Sequence, residues 1–196
     1  MDKYKIADIA DVQSGLVLGR KAAKTGTAPY LYKRLTLKSI TEDGLLDKTS
    51  LENYEACEIL DENFLTHEND IIIRLFAPVC AVLVTKENEG LIVPSQLAII
   101  RIKKDSPILP GYLNAYLNNK NVLENLIIDA GKTAQKIIKI GNVIEQEILF
   151  LPKKKQKSIA DILSEHMKTI ELYKKLIEQE NLRTKTVIKD IIGGKR

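Results

Sequence analysis

Apolar residues follow two regimes along this chain. Up to about residue 152 they come in short runs between polar turns, and from residue 153 they recur at steps of three and four without interruption. The first regime predicts a mixed domain. KIADIADVQSG reads as a short helical or turn segment and then a strand that closes at Gly15. Ile71 to Thr85, IIIRLFAPVCAVLVT, holds two β-branched runs divided by Pro78, which predicts paired strands with a break between them. Leu91 to Ile102 is a further strand candidate, again interrupted by a proline. Between Pro110 and Ile128 the character changes, because Leu113, Leu117, Val122, Leu126 and Ile127 recur at roughly helical spacing. Ile144 to Pro152 reverts to a strand. The expected class is α+β, with one domain over residues 1–152.

The second regime predicts one long helix over residues 153–196. Lys153 to Ile192 contains neither proline nor glycine, and helix formers dominate. At about 1.5 Å per residue such a helix reaches roughly 60 Å. Ile159, Leu163, Ile170, Tyr173, Ile177, Val187 and Ile191 form its apolar stripe, with His166, Glu180 and Thr184 filling the register. Ile162, Leu172 and Leu176 widen it, and Gly193-Gly194 supplies a stop. A stripe of that length needs a partner helix. A short domain offers none of matching length, so pairing with another chain is expected; the alternative is a helix folded back along its own domain.

Charge sharpens this picture. The net charge of +4 says little, but the charges are segregated. No acid stands between Asp11 and Glu42, where Arg20, Lys21, Lys24, Lys33, Arg34 and Lys38 lie. Residues 42–70 then hold ten acids against Lys48 alone, and Lys132, Lys136 and Lys139 stand unopposed between Ala130 and Gly141. Such blocks either present distinct faces to distinct partners or solvate loops. Residues 153–196 carry 12 Lys+Arg against 6 Asp+Glu, more than the whole net charge.

Several chemistries find no support. Gly15-Leu-Val-Leu-Gly19-Arg-Lys is one residue short of a phosphate loop and lacks the following Ser/Thr, while Gly131-Lys132-Thr133 has Leu126 where the earlier glycine belongs. His67 and His166 have no His-carboxylate cluster around them, so neither a metal site nor catalysis by this chain alone is expected. No run approaches the ~18 apolar residues of a membrane span, and the N-terminus lacks a signal-peptide core. Cys57 and Cys80, without CxxC spacing, point to a reducing, cytoplasmic setting.

Taken in order, the segments KIADIADVQSGLVLGR, LTHENDIIIRLFAPVCAVLV, LIVPSQLAIIRIK, PGYLNAYLNN, GKTAQKIIKIGNVIEQEILFLP and LPKKKQKSIADILSEHMKTIELYKKLI resemble type I restriction-modification DNA specificity subunits. Nearly the whole chain is covered. Leu75-Phe76-Ala77-Pro78 departs from the small residues usual there, and the family's full subunit carries two recognition domains and two long helices. The resemblance implies a non-catalytic DNA target-recognition domain followed by a spacer helix. That helix would dock a methyltransferase subunit; S-adenosylmethionine, ATP and any restriction nuclease would belong to partners, and this chain would bind no cofactor. Two copies paired through the helix would read a bipartite, symmetric site on double-stranded DNA.

The basic stretches are the expected DNA face. Arg20, Lys21, Lys24, Lys33, Arg34, Lys132 and Lys136 are candidates for phosphate contacts. Arg34, Arg74, Gln96 and Gln135 are candidates for base reading, since their side chains make paired hydrogen bonds. Tyr30 and Tyr32 are candidates for packing on sugar or base edges, and the acidic 42–70 stretch should face away. The expected dimer interface is Ile159, Leu163, His166, Ile170, Tyr173, Ile177, Val187 and Ile191. A stand-alone dimeric DNA-binding regulator remains the alternative, and a structural coiled-coil adaptor explains the helix but not the charge blocks.

Overall fold

A computed structural model describes residues 2–24, 29–129 and 137–193. At its centre is an antiparallel sheet in the order β2 (Ala10–Ser14), β7 (Leu97–Ile102), β5 (Ile71–Arg74), β6 (Ala81–Leu83). The two inner strands are covered on both faces. Ile71, Ile73, Ala98 and Ile100 point into one core, Ile72, Leu97 and Ile99 into a second, and all are buried. That is why these strands read as unbroken apolar runs rather than an alternation. The Ala77–Pro78 peptide in the turn between β5 and β6 is cis.

β6 is the sheet's edge, and a side chain closes it. Asn118 accepts from the Ala81 amide (2.9 Å) and donates to the Ala81 carbonyl (2.8 Å), standing in for a neighbouring strand. Asn118 itself follows α2 (Pro110–Leu117), and α3 (Lys120–Asp129) begins two residues later. The helical stretch read from 110 to 128 is therefore two helices, parted where the Asn119 side chain accepts from the Asn121 amide (3.0 Å).

The chain's beginning and the approach to its long helix are joined. β1 (Lys3–Lys5) pairs antiparallel with β8 (Glu147–Leu149), and the short helix α1 (Ile6–Ile9) after β1 packs against α4 (Ile140–Glu145), which precedes β8. A second ribbon, β3 (Tyr30–Arg34) with β4 (Glu52–Ala56), lies inside stretches that the sequence marks as polar. Only Tyr54 and Ala56 of β4 are buried; its Glu52, Asn53 and Glu55 face solvent, so the strand reads as an acidic loop. Tyr54, Ala56, Leu60, Leu65, Ile92 and Leu16 make a third core beneath it.

α5 spans Lys153–Ile192, 40 residues. Gln156, fully buried, anchors its first turn: the side-chain oxygen accepts from the Leu109 amide (2.7 Å), and the amide nitrogen donates to the carbonyls of Pro107 (3.0 Å) and Leu151 (2.7 Å). One turn on, α5 crosses α2 so closely that a Cβ on Gly111 would lie 2.8 Å from the Cβ of Ala160. Met167 then reaches the turn at Gly44, which has φ +73° and no room for a side chain below Ala81. A 2.5 Å ion pair from Lys174 to Asp43 closes the docked half.

This corrects the expected interface. Ile159 packs against the first core, and Leu163 and Ile170 are half-buried on their own domain, because α2 supplies a short intramolecular partner. His166 is exposed, and beyond Lys174 the helix leaves the domain with Tyr173, Ile177 and Ile191 each at least 60% exposed and Val187 at 49%. The helix both folds along its own domain and projects from it.

Candidate nucleic-acid interface

Strand register decides which loops meet. Ser14, Leu97, Arg74 and Ala81 all lie at one end of the central sheet. The loops leaving that end are laced together by backbone hydrogen bonds: Gly15 to Leu97 (3.0 Å), Leu16 to Val93 (2.7 Å), Ser95 to Leu16 (2.9 Å) and Leu75 to Gln96 (3.1 Å). The Ile138 amide donates to Leu75 (2.8 Å), which brings the chain after residue 136 to the same edge. The β3–β4 ribbon joins them, since the Ala23 amide donates to Glu55 (2.8 Å) and the Cys57 amide to Lys21 (2.9 Å).

On this surface Arg20 sits in a short 3-10 turn, Leu18–Arg20, and Gln96 in the turn before β7; both are exposed. Lys33 stands on the outer face of β3, opposite Asn53 of β4. Neither Arg20 nor Lys33 forms an ion pair with a described residue. Lys24 is exposed as well. Arg20, Lys33 and Gln96 are thus exposed on one connected surface of loops and ribbon.

Other candidates are already engaged. Lys21 pairs with Glu58, whose hydrogen bond and charge raise the lysine pKa above its ordinary value, and Arg34 pairs with Glu52. The acidic stretch therefore does not turn away as a whole, because antiparallel pairing of β3 with β4 sets Glu52 directly across from Arg34. Arg74 points inward: its Nη1 donates to the Ile40 carbonyl (3.2 Å), and its Nε is buried without a partner. Beside it the Cys80 thiol is pushed up to about 11 by burial. Arg74 is thereby corrected from base reader to a strut beneath the 40s loop. Tyr32 is structural too, accepting from the Leu60 amide (3.1 Å) while its ring lies against the third core. Tyr30 remains 46% exposed. Lys132, Gln135 and Lys136 lie outside the described residues.

Asn53, not among the base-reading candidates, stands exposed on the same surface. Its carboxamide can make paired hydrogen bonds to a base, and it shares the ribbon's outer face with Lys33. The one signal for it was the polar–apolar alternation of ENYEA, hidden by the surrounding acids. Among the described residues no three His, Cys, Asp or Glu side chains gather as a metal site, and no helix is long and apolar enough to cross a membrane.

Comparison with known proteins adds a family. The model of the type I restriction modification DNA specificity domain matches residues 1–180. No curated protein matches. Among solved structures, the chain is similar to the HsdS subunit from Thermoanaerobacter tengcongensis, with TM-score 0.64 and 14% identity over 96% of this chain and 47% of that one. It is also similar to the type I restriction-modification S subunit from M. genitalium, with TM-score 0.60 and 17% identity over 96% and 45%. A third similar chain, from a structure on complex assembly and conformational transition of the type I R-M system, gives TM-score 0.60 and 14% identity over 98% and 44%. The chain thus spans less than half the length of these structures' chains. At such identities the likeness establishes the fold, a mixed domain followed by a long helix.

Proposed function

This chain belongs to the family of type I restriction modification DNA specificity domains, and from that premise we propose that it is the sequence-reading component of a type I restriction-modification system. It directs methyltransferase and restriction subunits to DNA and performs no chemistry itself; S-adenosylmethionine and ATP are bound by those partners. The observation that carries this reading is the extent of the family match, which takes in the mixed domain and most of α5 together.

The loops around Arg20, Lys33, Asn53 and Gln96 are the proposed reading face. Two copies joined through the free half of α5 place two such faces at a fixed separation on one duplex, which suits a bipartite site read symmetrically. The row Leu172, Tyr173, Leu176, Ile177, Val187 and Ile191 supports the joining, since each is about half exposed or more and an apolar strip of that length is rarely left in water. Methylome sequencing with and without the gene tests the proposal. Deletion should erase methylation at one interrupted motif genome-wide, and an unchanged methylome would refute the reading. A transcript change with an intact methylome would favour a stand-alone regulator.

A further inference from the structure

The opening turn of α5 carries a concentration of positive charge that the reading face does not use. Lys153, Lys154, Lys155 and Lys157 surround Gln156, the one residue of this turn that points inward. At about 100° per residue, Lys153, Lys157 and Lys154 spread along one side of the helix and Lys155 lies on the other. All four are exposed, and none forms an ion pair with a described residue. Of the neighbouring acids, Glu145 and Glu147 pair with Lys5 and Lys3 at 2.6 Å, while Asp2, Asp105 and Asp161 pair with none of the four lysines.

This arrangement works against the helix. Its N-terminal end favours negative side chains, yet the first turn holds no acid. Lys153 and Lys157, four residues apart, repel each other. Folding alone gives no reason to collect four ammonium groups here. A polyanion does.

The chemistry also separates two kinds of polyanion. Protein interfaces draw on aromatic residues, Met and Arg and are depleted in Lys. This turn, PKKKQKS, exposes no aromatic side chain and no arginine, and its one exposed apolar group is the Pro152 ring. Lysines acting as point charges suit phosphates, which position a duplex without reading it. The turn sits at the end of the central sheet opposite the reading loops, because Gln156 is bound to Pro107 and Leu109, just after β7 leaves the far end. At roughly 3.3 Å per residue, six-residue β7 puts about 20 Å between the two ends, or about six base pairs at ~3.4 Å each.

We propose that Lys153, Lys154, Lys155 and Lys157 form a second, sequence-independent seat for the DNA backbone, outside the bases read by the loops. The proposal rests on the chain being a DNA-binding protein. α5 runs from this turn across α2 to the turn at Asp43 and Gly44 and on to its free half, so the seat lies at the end of the helix away from any partner joined there. It holds flanking DNA.

The test uses the full chain and a fluorescein-labelled, mixed-sequence duplex of about 40 base pairs, with affinity followed over a salt series. Replacing all four lysines by glutamine should flatten the log–log salt slope by about 0.9 for each phosphate no longer neutralised. Replacing all four by arginine should restore the slope, and neither change should lower the melting temperature, since glutamine and arginine are both good helix formers. A wild-type slope in the glutamine variant would overturn the seat while leaving the DNA-reading function intact. Failure of the wild-type chain to bind any duplex would overturn both. A flattened slope that arginine does not restore would also count against phosphate binding at this turn.

Discussion

A single amide anchors the first turn of the long helix to its domain. Gln156 satisfies one backbone donor and two acceptors from separate segments, and all of it is out of water. In the sequence it is one polar residue in a lysine run, and nothing about KKKQKS distinguishes an inward side chain from an outward one. Replacing it with leucine leaves the Leu109 amide and the carbonyls of Pro107 and Leu151 unpaired in the interior. At about 1–3 kcal/mol for an unsatisfied buried group, Gln156→Leu should lower stability by on the order of 3 kcal/mol, read from the urea midpoint. Gln156→Glu should be no milder, since its carboxylate would face two carbonyls. Arg74 was equally opaque. Its place after III in β5 gives no sign that the Ile40 carbonyl captures it, because that hydrogen bond joins residues 34 apart in sequence.

Elements were legible where burial was two-sided or the period was long. β5, β6, β7 and α5 announce themselves through runs of aliphatic residues or an uninterrupted three-four spacing, since their surroundings impose one pattern on successive residues. The β3–β4 ribbon does not, because only one face of β4 meets a core and Glu52 and Glu55 mask the alternation. The docking of α5 on α2 was hidden for another reason: it depends on small residues. Gly111 and Ala160 permit the close approach, and a glycine early in a helix reads as indifferent. Gly111→Ala should force the helices apart at a cost of about 1–3 kcal/mol, visible as a lower melting temperature and faster amide exchange in the first half of α5. Adding Ala160→Gly, which removes the opposing methyl, should recover part of the loss.

At the scale of the whole molecule, α5 is divided into a half docked on its own domain and a half that stands exposed. The stripe that looks continuous in sequence meets the chain's own domain in its first half and is exposed in its second; the proposed pairing would bury that second half. Ile177→Asp with Val187→Asp should yield a monomer by light scattering while the domain melts as before. Leu163→Asp should instead lower the melting temperature, because that residue faces its own domain. Glu52 in β4 and Glu58 just beyond it sit on two of the cations nearest the proposed reading face. Glu52 and Glu58 already occupy Arg34 and Lys21, so a phosphate must displace a carboxylate to reach either cation. On the proposed function the chain therefore carries its own competitor for random DNA, and a protein with one site to find among a genome of wrong ones would gain from short stays on the wrong ones. Glu52→Gln with Glu58→Gln should lengthen residence on non-cognate duplex in single-molecule tracking, and the mutant should take longer to reach its target although it grips DNA more tightly.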